Sequence, residues 1–156
     1  MQASFLRRSL FSALAVLFLA LAGAAPSHAQ ICSNASLRGS FGYTVTGQVT
    51  ASNPPFVAGP FGAVGRLVFD GAGNVSTTRT FSDAGFVVQG DKGTGTYKLN
   101  SDCTGSFNIS VDSPGSGSVI LRLDIVLDGD YELRGIVTNP GFVLTLHGRK
   151  LYSPIY

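Results

Sequence analysis

Ser118-Val119-Ile120-Leu121-Arg122-Leu123-Asp124-Ile125-Val126-Leu127 is followed by Asp128-Gly129-Asp130 and then by a second run, Tyr131–Thr138. In the first run Val119, Leu121, Leu123, Ile125 and Leu127 fall at every second position, with Arg122 and Asp124 between them. Successive side chains on extended backbone point to opposite sides, so a period of two marks a strand with one buried face. Asp-Gly-Asp has hairpin chemistry, because glycine accepts positive φ and aspartate side chains bond the turn backbone. The stretch reads as two antiparallel strands.

The same grammar extends in both directions. Short runs rich in Val, Ile, Thr, Phe and Tyr recur at Gly39–Thr50, Phe61–Phe69, Asn74–Phe81, Phe86–Gln89, Gly93–Leu99, Gly105–Val111 and Phe142–Leu151. Between them lie turn signals such as Asp70-Gly71-Ala72-Gly73, Ser82-Asp83-Ala84-Gly85, Gly90-Asp91-Lys92, Asn100-Ser101-Asp102, Ser113-Pro114-Gly115 and Asn139-Pro140-Gly141. No window beyond residue 29 sustains the three-and-four spacing of an amphipathic helix. Links this short join antiparallel neighbours, since a parallel crossover needs a dozen or more residues. The expectation is an all-β fold, an antiparallel up-and-down meander of eight or nine strands closing into a small β-barrel. Closure removes the edges that invite aggregation, and the alternative is a β-sandwich. The one longer connection, Ala51–Pro60, carries Pro54, Pro55, Phe56 and Pro60 and is expected as a rim loop over a barrel mouth.

Upstream of these strands, Arg7 and Arg8 precede an apolar run from Leu10 to Ala25, and Ser27-His28-Ala29 places small residues at a signal-peptidase site. Residues 1–29 therefore read as a secretory signal cleaved before Gln30, leaving 30–156 as one domain. The run is 16 residues long, short of the roughly 20 that span a bilayer. Ile31 before Cys32 is too large for a lipid-attachment signal. The mature chain is expected in the periplasm or outside the cell, with no membrane span.

Loss of the signal lowers Lys and Arg from 11 to 9, equal to the nine acids, so the mature domain is neutral. Nucleic-acid binding needs clustered cations and is not expected. One histidine, His147, remains in the mature chain, which excludes a multi-histidine metal centre, and no cofactor pattern is present. Two cysteines in an oxidising compartment, Cys32 and Cys103, are expected to form one disulfide. Gly71-Ala72-Gly73-Asn74 lacks the following helix that a phosphate loop requires. Asp70, Asp128 and Asp130 supply too few oxygens for calcium. No G-x-S-x-G elbow exists, and no catalytic residue is assigned.

Alternation places Phe41, Tyr43, Val45 and Val49, then Phe69, Tyr97 and Phe107, on the inner face. In small ligand-binding barrels one inward arginine often fixes a ligand's polar end, and Arg66, Arg122 and Arg134 are the strand arginines considered for this. His147 and Arg149 alternate with Leu144 and Leu146; if Leu146 points inward, His147 is an exposed residue, and otherwise it joins Arg149, Arg134 and Asp124 as a polar anchor.

The segments Cys32-Ser33-Asn34-Ala35-Ser36-Leu37-Arg38-Gly39-Ser40-Phe41-Gly42-Tyr43, Phe69-Asp70-Gly71-Ala72-Gly73-Asn74 and Gly95-Thr96-Tyr97-Lys98-Leu99-Asn100-Ser101-Asp102-Cys103-Thr104-Gly105 together resemble a group of small exported bacterial proteins. The resemblance covers most of the mature chain. It implies bacterial export and the Cys32–Cys103 pairing, and it carries no activity. More loosely the meander looks like calycin-type and allene-oxide-cyclase-type barrels, although the lipocalin G-x-W signature is missing. That likeness concerns shape alone.

Three functions follow as expectations. The first is a secreted binding module holding a small apolar or amphipathic ligand, with Tyr43, Phe69, Tyr97, Phe107 and Arg134 as binding residues. The second is a structural or envelope-surface protein acting as a homo-oligomer through the apolar outer face around Ile120 and Val126. The third, less favoured, is a cyclase-like or isomerase-like enzyme using Arg134 or His147.

Overall fold

The structure, a computed structural model, describes residues 31–52, 55–113, 117–129 and 131–152. The segment expected as a signal at 1–29, Pro54 of the expected rim loop, Pro114-Gly115 of one expected turn and Asp130 of another lie outside the described residues. A short 3-10 helix, Asn34–Leu37, precedes eight strands: β1 (Gly39–Val49), β2 (Gly59–Phe69), β3 (Asn74–Asp83), β4 (Phe86–Leu99), β5 (Thr104–Ser113), β6 (Gly117–Asp128), β7 (Glu132–Val137) and β8 (Phe142–Lys150). Each strand pairs antiparallel with the next, and β8 returns to β1, closing the barrel. The meander and its closure are as the alternation and short turns imply.

One expected turn is a strand. Phe86–Gln89 and Gly93–Leu99 are the two ends of β4, and Gly90-Asp91-Lys92 runs through its middle. Arg79 pairs with Asp91 and Phe81 with Val88, so β4 carries one more residue than β3 between those pairs. This is a β-bulge, and Gly90 supplies the left-handed φ of +69° that it needs. The inward carboxylate of Asp91 is tolerated because an arginine on β3 meets it.

Inward side chains fill the barrel in layers. At one end Phe69 meets Phe41, Tyr97 and Phe107 with ring centroids 5.6, 5.0 and 6.2 Å away, all nearly edge to face. The 3-10 helix covers this end with Leu37, which is fully buried. Asn34 holds it in place: its backbone carbonyl accepts from Tyr97 Oη at 2.8 Å and its side-chain Oδ1 from the Leu99 amide at 2.8 Å. The expected disulfide joins Cys32 to Cys103 and staples this segment to the β4–β5 turn.

At the other end Phe56, from the connection before β2, sits 5.2 Å from Phe142, 5.9 Å from Phe61 and 6.5 Å from Phe81. The expected rim loop thus covers a barrel mouth with a ring. Between the two aromatic ends, Leu133, Gly148, Tyr43, Gly65, Arg79 and Asp91 follow one another across β7, β8, β1, β2, β3 and β4. A Cβ on Gly65 would lie 2.5 Å from the Thr78 carbonyl and 2.7 Å from Arg79 Cβ. Only glycine fits there, between Tyr43 and Arg79.

Candidate functional site

The barrel interior is a packed core. Tyr43, Phe69, Tyr97 and Phe107, expected as the walls of a ligand cup, are all buried, and three of them are packed against one another. Among the described residues a cavity of about 30 Å3 lies inside, lined by Tyr43, Thr77, Arg79 and apolar residues including Phe61, Leu121 and Leu144. That holds about two waters. Eight-stranded barrels are narrow enough for side chains to fill, and this one is filled.

Polar groups cluster beside the cavity. Tyr43 and Thr77 share a hydrogen bond of 2.9 Å, and burial pushes the Tyr43 hydroxyl pKa up, so the phenol stays protonated. Arg79 Nε donates to Asp91 Oδ2 at 2.6 Å, with side chains 5% and 1% exposed. Nearer the Phe56 end, Asp83 Oδ2 accepts from the Val57 amide at 2.9 Å. Arg79 Nη2, Asp83 Oδ1 and Asp91 Oδ1 are buried with no hydrogen-bond partner among the described residues.

The inward arginine is therefore Arg79. Arg66, Arg122 and Arg134 are exposed on the outer surface. A signal for Arg79 was present in Val75-Ser76-Thr77-Thr78-Arg79-Thr80-Phe81: once Val75 and Phe81 are placed inside, the period of two puts Arg79 with them. Asp91 carries no such signal, because the bulge breaks the alternation around it.

Arg134 does not join the four aromatic residues, since the β7 alternation buries Leu133 and Val137 and turns Glu132, Arg134 and Ile136 outward. Its guanidinium is bonded to Asp128 and Glu132 at 3.1 and 3.2 Å. His147 is exposed, as expected with Leu146 inside, and stands between Arg134 and Thr44 in the strand register. His147, Arg149, Arg134 and Asp124 all lie on the outer face of the barrel, away from the cavity.

That outer face holds a groove of about 650 Å3 crossing β4 to β7. Its construction follows from the register. One outward row is Lys98, Ser106, Asp124 and Ile136, and the next is Thr104, Val126 and Arg134. Between them runs Gly105, Ile125 and Gly135, in which Ile125 points inward and the glycines have no side chain. The groove floor is thus bare sheet backbone. Its walls combine exposed apolar groups, Val126 and Ile136, with cations, a carboxylate and hydroxyls.

Among the described residues no group of three or more His, Cys, Asp or Glu residues is placed to hold a metal ion, and no helix is long and apolar enough to cross a membrane. No protein-family model, curated protein or solved structure matches the chain. Fold and surface define an eight-stranded antiparallel meander barrel with aromatic rings packed at both ends and a groove of about 650 Å3 on its outer face.

Proposed function

We propose that this protein is a secreted or periplasmic binding module that holds a small amphipathic ligand in the outer groove between β4 and β7. The observation that carries the reading is the contrast in space: about 650 Å3 outside against about 30 Å3 inside. Ligand sites commonly measure about 300–1,000 Å3 and pair apolar contact with a few polar groups that fix orientation. Val126 and Ile136 supply the apolar contact. Lys98, Asp124 and Arg134 supply the polar groups, which keeps Arg134 in the binding role and leaves the four aromatic residues as core. The Cys32–Cys103 bond supports an oxidising compartment. In this reading the protein binds and does not catalyse.

A second reading uses the same surface. Ile120, Val126, Ile136 and Val143 are each 47–58% exposed on β6, β7 and β8, and a second copy covering them makes the protein a structural oligomer.

Titration of the mature chain with decanoate, followed by backbone amide NMR, tests the first reading. Saturable shifts at Lys98, Ser106, Val126, Arg134 and Ile136, with Leu121 and Leu144 unmoved, are expected. Shifts absent from the groove, or a stable dimer that blocks them, contradict it.

A further inference from the structure

The polar side chains lining the outer groove differ in how far their own neighbours already occupy them. Thr104 Oγ1 donates to Asp102 at 2.7 Å and accepts from Asn100 Nδ2 at 3.2 Å, which ties Thr104 and Asn100 into the β4–β5 turn. Arg134 is held between Asp128 and Glu132, so two carboxylates already meet its charge. The side chains of Lys98, Ser106 and Asp124 have no hydrogen bond or ion pair with any other described residue.

The register sets these three side by side. Lys98 on β4 pairs with Ser106 on β5, and Ser106 pairs with Asp124 on β6. The next member of the same outward row is Ile136 on β7. Val126, two residues beyond Asp124 on the outward face of β6, is exposed as well. Across the strands the groove therefore presents a cation, a hydroxyl, a carboxylate and then an apolar patch. Neighbouring strands lie about 4.8 Å apart, so Lys98 and Asp124 spring from backbone about 10 Å apart, with only the short Ser106 side chain between them. Charge-assisted hydrogen bonds span about 2.8 Å each, which leaves room between the two for a compact head group bearing both charges.

We propose that the groove takes a zwitterionic α-amino acid with an extended apolar side chain. This deepens the outer-groove reading and rests on it. The ligand carboxylate accepts from Lys98 Nζ and Ser106 Oγ, its ammonium donates to the Asp124 carboxylate, and its side chain lies on Ile136 and Val126. The order of groups in such a ligand, carboxylate then ammonium then hydrocarbon, follows the order of the row. Charge selects the class. A fatty-acid anion meets Lys98 but is repelled by Asp124, and an alkylammonium meets Asp124 but is repelled by Lys98. A head group with both charges satisfies both residues.

The test is backbone amide NMR titration of the mature chain with 2-aminooctanoate, octanoate and octylammonium, which share eight carbons and differ in head group. 2-Aminooctanoate is expected to shift Lys98, Ser106, Asp124 and Ile136 saturably. It is expected to bind about threefold to fivefold tighter than either singly charged probe, the gain that one exposed charge pair can supply. Asp124→Asn is expected to bring it level with octanoate, and Lys98→Gln level with octylammonium. Both residues are exposed on the outer face, so neither change touches the core. Groove binding in which octanoate or octylammonium equals or exceeds 2-aminooctanoate overturns the proposal and leaves the outer-groove reading standing. So does a preference for 2-aminooctanoate that survives both substitutions. Absence of groove shifts with all three probes overturns the proposal and the reading together.

Discussion

Arg79 on β3 and Asp91 on β4 are directly paired across the strands, with Nε and Oδ2 2.6 Å apart inside the barrel. Asp91 sits in a sequence that reads as a turn, and its partner sits in one that reads as an ordinary strand. Their meeting explains why β4 is continuous and why the interior is not wholly apolar.

Breaking that pair is expected to be costly. Asp91→Ala leaves a buried guanidinium uncompensated and should lower stability by about 3–5 kcal/mol, measured from the urea unfolding midpoint. Replacing both residues, Arg79→Met with Asp91→Leu, should cost far less, because paired charges have already lost much of their attraction to desolvation. Equal losses in the single and double variants would contradict this account of the pair.

The disulfide closes a loop of 71 residues between Cys32 and Cys103. In the chain-entropy description, opening such a loop costs about 4 kcal/mol. Cys32→Ser with Cys103→Ser should lower the unfolding free energy by about that amount, while leaving the far-ultraviolet spectrum that of a β protein. A variant as stable as the parent would show that the staple does not constrain the unfolded chain.

Asp70 organises the β2–β3 turn. Its Oδ1 accepts from the Ala72, Gly73 and Asn74 amides, and its Oδ2 accepts from the Asn74 side chain. The Asn74 side-chain bond, followed by the backbone bonds, lowers its pKa from 3.8 to about 2. Because the folded value lies below the unfolded one, the contribution to stability is complete above the unfolded pKa and disappears as pH falls from 3.8 toward 2. Carboxyl NMR titration should give Asp70 a midpoint near 2, and Asn74→Ala should move it upward. An unchanged midpoint in the variant would remove the side-chain bond as the leading cause.

Two glycines form a matched pair. A Cβ at Gly95 would lie 1.8 Å from the Asn108 carbonyl, whereas one at Gly62 meets nothing within 4 Å. Gly95→Ala should destabilise by at least about 1–3 kcal/mol through overpacking, and Gly62→Ala should be close to neutral. Thermal unfolding of the two variants side by side checks the difference.

Much of the fold was legible because strand alternation and turn chemistry are local. Val119 to Leu127 points as the sequence implies, and so do Leu144, Leu146 and His147. Asp91 was not legible, since its burial depends on Arg79 in another strand and on a bulge at Gly90. Arg134 was ambiguous because β7 has apolar residues on both faces, Leu133 and Val137 inside and Ile136 outside. Whether inward aromatics enclose a pocket or fill it is a matter of volume, and alternation carries no volume. The outer groove arises from Gly105 and Gly135 meeting across Ile125, a register relationship between three strands.

Native mass spectrometry of the mature, non-reduced protein purified from its own source, beside an Ile136→Asp variant prepared identically, tests the central claim most directly. The account predicts a monomer carrying extra mass that is lost on denaturation and is absent from the variant. Extra mass retained by Ile136→Asp, or a bare oligomer in its place, would contradict binding in the outer groove.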